Sequence, residues 1–226
     1  MDNGILGKMI MYSLSSSLKV DLRTFLQVAK ENHVPEEMLP MHTSKTINKE
    51  CLEIKEVRRS IVKAVEHCRG LNIRNNGGVV FIPERYLPMW NKFEDLMLNE
   101  NFDGIDIVVM DVANTVDNRT VIARAVLEEA KGSLQLEIYK LTGIKEEGKN
   151  MKELLEDFIR SVRRNKLKID ATNNMNERLA DEYNKAKMYE GIVDENLMYI
   201  TDRLMTAKEE IRKSLLERLR DKAVVW

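Results

Sequence analysis

Residues able to do chemistry are sparse among the 226 of this chain. There are two cysteines, Cys51 and Cys68, and three histidines, His33, His42 and His67. His67 and Cys68 are neighbours, so on a helix they would point in different directions. A zinc site needs several converging ligands, and neither a CxxC nor an HxxxH pattern supplies them. A cysteine nucleophile needs a base within hydrogen-bond reach. The plainer reading of both thiols is a small buried residue or an inert surface group. No GxSxG elbow and no GxxxxGK[ST] loop occurs. Ile107-Val108-Val109-Met110-Asp111 looks like an apolar strand ending in a magnesium-binding aspartate, but without a phosphate loop that reading fails. Asp103, Asp106 and Asp111 could form an acidic cluster, though turns and strand ends commonly carry such residues. The patterns point to no catalytic residue, no metal and no cofactor.

Nucleic-acid chemistry has better candidates. Tyr12 and Phe81 could stack bases on a sheet. Arg74 and Arg85 flank a candidate hairpin and could meet phosphates. Arg163, Arg164, Lys166 and Lys168 form the one real basic run, although a solvated helix end explains it equally well. Lys and Arg total 36 against 37 Asp and Glu, a formal net charge of −1. That balance holds in both halves and excludes capture of nucleic acid by overall charge.

The elements that would position these residues follow from periodicity. Lys8–Leu14 reads as a strand that Ser15-Ser16-Ser17 interrupts. Asp21 is placed to cap a helix over residues 22–32, and Val34-Pro35 ends it. Residues 35–46 read as an exposed connector. Ile54, Val57, Ile61, Ala64 and Val65 give a helix over residues 47–69, with Gly70 as its C′ residue. Asn75-Asn76-Gly77-Gly78 lies between Leu71–Arg74 and Val79–Ile82, which is a hairpin signal. A helix over residues 84–99 turns Leu87, Trp90, Phe93, Leu96 and Met97 inward. Ile105–Met110 is a fourth strand.

The second half is helical. Asp117 or Asn118 would cap a helix reaching Leu141, and another covers residues 152–166. Asn173-Asn174 opens the last helical region. There Leu179, Ala186, Val193, Ile200 and Ala207 recur at seven-residue spacing. Tyr183, Leu197, Leu204 and Ile211 fill the position four further on, as in a coiled-coil seam. The seam could join chains or close a helical hairpin within one chain.

The expected fold class is therefore α+β. A small four-stranded, ferredoxin-like head (residues 1–115) precedes an α-helical, coiled-coil-like tail (residues 116–226, the coiled-coil segment at 174–221). Two thiols, no signal-peptide pattern and no long apolar run suggest a protein of the cytoplasm without a membrane contact.

Three segments resemble a family of uncharacterised proteins encoded by bacteriophages and other mobile elements. They are Gly7–Leu14 followed by Pro35–Pro40, then Asn76–Pro83, similar to a GVYFVP-type strand, and Val112–Glu129. Val80 stands where the aromatic of that strand is expected. The resemblance implies a phage or mobile-element protein acting inside a bacterium.

The leading expectation is a non-enzymatic accessory protein working by protein–protein contact. It would be a homo-oligomer or bind a host protein, such as one of defence, through Leu179, Val193, Leu197, Ile200, Leu204 and Ile211. The alternatives are a nucleic-acid-binding factor for phage replication or recombination, and an oligomer that sequesters a signalling nucleotide.

Overall fold

A computed structural model describes residues 4–40, 50–73, 78–142, 148–164, 169–193 and 197–223. The first strand, β1 (Ile5–Asp21), spans 17 residues and so outruns its apolar heart in both directions. The serines do not interrupt it. Ser15 and Ser17 hydrogen-bond each other at 2.8 Å, and the Ser17 amide donates to the Ser15 hydroxyl. A register irregularity between Leu14 and Lys19 absorbs the misfit with the neighbouring strand.

Asp21 caps α1 (Leu22–Glu31): its carboxylate accepts from the Thr24 amide and hydroxyl, each at 2.7 Å. Those donors hold the carboxyl below its ordinary value. The next stretch is a correction. Met38 is fully buried and Leu39 nearly so, and the Lys63 ammonium donates to the Leu39 carbonyl. The described part of that connector is core, anchored by a single 3-10 turn at Glu36–Met38.

The following helix starts later than its pattern suggests. Cys51–Leu52 form a short strand, β2, paired with Asp21 and Val20. Only then does α2 (Ile54–His67) begin, in a capping box formed by Glu53 and Glu56. Its positive-φ terminal residue is Arg69 (φ 51°), not Gly70. Gly70 answers a different need: a Cβ there would meet the Phe81 carbonyl at 2.9 Å and the Ile82 side chain at 2.6 Å.

The two hairpin strands are β3 (Leu71–Asn72) and β4 (Val79–Pro83), with Leu71 opposite Phe81 and Asn72 opposite Val80. Of their expected turn, Asn75–Gly78, residues 75–77 lie outside the described residues, and Gly78 has φ +84°. A 3-10 turn leads into α3 (Leu87–Met97), and its five expected inward residues are all buried. The last strand is β5 (Asp103–Ala113).

The sheet is antiparallel throughout. Its order is β5-β1-β4-β3, with β2 joined to the end of β1, which makes five strands where four were expected. Ile10, Val80 and Ile82 share one face and pack with Phe25, Val57, Ile61, Trp90 and Phe93 of α1–α3. Side chains alternate along strands, so Met9 and Phe81, which face each other in register, lie on the opposite face.

The chain divides into two compact units, residues 1–118 and 119–226. The helices of the second half are α4 (Val116–Thr142), α5 (Met151–Arg164), α6 (Ile169–Val193) and α7 (Met198–Ala223). Thr115, not Asp117 or Asn118, caps α4, accepting from the Asn118 amide at 3.2 Å. Asn173-Asn174 lie inside α6 rather than at its start. The seven-residue stripe is shared between α6 and α7, which pack on each other across a short connection as a helical hairpin. α5 packs on α7.

Candidate functional site

β5 owes its existence to Ile105, Ile107, Val108 and Val109, whose branched side chains suit a pleated surface. Gly104 opens it with φ +87°, a conformation L side chains avoid. Ile105, Ile107 and Val109 pack toward the core. Val108 and Met110 alternate with them on the other face and remain 53% and 47% exposed. Among the described residues, β1 is the one strand that pairs with β5, so β5 is an eleven-residue edge strand. Its far end is fixed by the Asn118 amide donating to the Ala113 carbonyl at 2.8 Å and by the Asn114 amide donating to the Gly4 carbonyl.

The three aspartates do not gather in a pocket. All are exposed along β5, and β1 meets each one. Lys8 stands opposite Asp111 and Lys19 opposite Asp103, while the Ser13 hydroxyl donates to the Asp106 carboxylate at 3.2 Å. Asp106 and Asp111 are five residues apart and so lie on opposite faces.

The expected base-stacking pair is not brought together. Tyr12 packs against the helix-covered core, whereas Phe81 lies on the opposite face and is fully buried. Arg85 sits over the Tyr86 ring at 5.0 Å. Arg164 is exposed at the end of α5. Arg74, Lys166 and Lys168 lie outside the described residues, as does the side chain of Arg163.

Within the helical unit the expected interface residues are interior. Leu179, Val193, Leu197, Leu204 and Ile211 are at most 4% exposed within the single chain. The side chain of Ile200 lies outside the description. Their burial comes with a polar cluster that periodicity did not reveal. The Lys185 ammonium of α6 pairs with Glu129 of α4 at 2.5 Å. Glu182, one turn before Lys185, is half-buried beside them. Burial raises its carboxyl above the ordinary value, while a hydrogen bond from Ser133 and the charge of Lys185 partly oppose that rise.

Cys68 is buried and pushed up to about 12 by loss of water, and Cys51 is exposed. Among the described residues no group of His, Cys, Asp and Glu side chains is arranged to hold a metal ion. None of the described helices is long and apolar enough to cross a membrane.

No curated protein and no solved structure matches the chain. A sequence profile does match, over residues 46–221, which covers everything from β2 into α7 but leaves β1 and α1 outside. By that match the chain belongs to DUF6744, a family of unknown function.

Proposed function

We propose that this chain is a non-enzymatic accessory protein that works by gripping another protein, with β5 as the gripping element. One observation carries the reading: an eleven-residue edge strand exposes Val108 and Met110 side by side on one face. Long edges with exposed apolar side chains are templates for pairing, and proteins usually blunt or cover them. The burial of the helical seam moves the proposed contact from the tail to the head. For the head we favour a ferredoxin-like plan. β1 and β3 flank β4 while β4 and β5 flank β1, which is the arrangement of two interlocked split βαβ units. Action in a bacterial cytoplasm on behalf of a phage or mobile element, with a host protein as the one gripped, rests on the resemblance of short segments.

The test is co-purification with the full chain and with the double variant Val108→Lys, Met110→Lys. Surface changes of this kind leave stability within about 0.5 kcal/mol. The expected result is a partner retained by the parent and lost by the variant, with melting unchanged. A partner that the variant still retains would remove β5 from the reading.

A further inference from the structure

We infer that the free edge of β5 accepts an extended, lysine- or arginine-bearing segment of a partner protein as an added antiparallel strand. This rests on the partner-binding reading and names the chemistry of its occupant. β5 carries Asp103, Asp106 and Asp111 and no basic residue from 103 to 113. The neighbour it already has illustrates what fits. β1 sets Lys8 against Asp111, Ser13 against Asp106 and Lys19 against Asp103, with apolar residues between. The outer edge presents the same eleven residues, the same three carboxylates and the same apolar spacing. Opposite charges across a ladder stabilise it and like charges oppose it.

That rule argues against a second copy of this chain as the occupant. Antiparallel β5–β5 pairing would bring six aspartates into one two-stranded ladder without a single cation. A basic segment gains main-chain hydrogen bonds from the edge, specificity from the aspartates, and apolar contact from Val108 and Met110.

Fluorescence anisotropy tests this with a labelled peptide of the β1 sequence, residues 7–20, titrated with the full chain. Saturable binding is expected. N-methylation of the peptide amides that face β5 should weaken it at least about tenfold, and N-methylation of the alternate amides should not. Exchanging the two peptide lysines for glutamate, or making Asp106→Lys with Asp111→Lys in a folded chain, should weaken it similarly. Equal binding by both N-methylated peptides, or no saturation up to about 1 mM peptide, would overturn the inference. So would a dimer of the chain that the Asp106→Lys, Asp111→Lys variant disrupts, because the edge would then belong to a second copy. If the co-purified partner still depends on Val108 and Met110, the partner-binding reading survives that failure.

Discussion

The two units treat polar groups differently. In the head, Trp90, Phe93, Phe25 and Ile61 fill the interior, and the polar side chains buried with them are the uncharged Ser60 and the cap-forming Glu56, both of α2. In the helical unit, Glu129, Glu182 and Lys185 lie between α4 and α6, and Thr201 is 2% exposed inside α7. In the head the displaced carboxyl is that of the exposed cap Asp21, lowered by the Thr24 hydrogen bonds. In the helical unit Glu182 is displaced the other way, raised by burial.

The sharpest way to break this contrast is in the head. Phe93→Ala removes a fully buried ring and should cost about 3–5 kcal/mol, read as a lower urea midpoint. The corresponding deletion in the seam, Leu204→Ala, should cost about 2–5 kcal/mol. It should lower helical signal while leaving the tryptophan fluorescence of Trp90 unchanged; a loss of both signals together would mean that the two units do not unfold separately.

The pH response comes next. Glu182 holds its proton more tightly folded than unfolded, so its contribution is fully present below the ordinary value of 4.5. It is lost as pH rises from there through the raised folded value. Melting of the helical unit should fall across that interval, and Glu182→Gln should flatten the fall. A parent and variant with parallel pH profiles would place the sensitivity elsewhere. Smallest of all, Thr115→Ala removes the α4 cap and should cost about 1 kcal/mol, checked by thermal melting; no change would mean that water replaces the cap.

How much of this was legible in the sequence depended on distance along the chain. The inward face of α3 was readable because its spacing of three and four is complete within eleven residues. The length of β1 was not, because Ser15–Ser17 sit in an irregularity bracketed by the pairs Leu14–Ile105 and Lys19–Asp103, whose second members are far along the chain. The α4 cap was decided locally, by the Asn118 amide reaching the Thr115 hydroxyl three residues back, and α6 runs through Asn173-Asn174 because the propensity of single residues is a weak prior. The apolar seam was visible, but whether it closed within one chain depended on where α6 ended, and Glu190 and Gly191 did not mark that point. The Glu129–Lys185 pair was invisible because its members are 56 residues apart. The β5 edge was found as a strand, but its exposure became apparent only once the sheet order was known.

The central place of β1 bears on how the protein is made. β1 precedes all three of its partner strands in the chain, and its longest partnership is with the most distant of them, residues 103–113. β2 and β4 can pair with it sooner, but the other edge of this ribbon of Met, Ile and Leu stays open until β5 has been made. Such long-range pairing slows folding and exposes the chain to misassembly. The open edge of β1 is therefore most exposed to wrong pairing before residues 103–113 emerge.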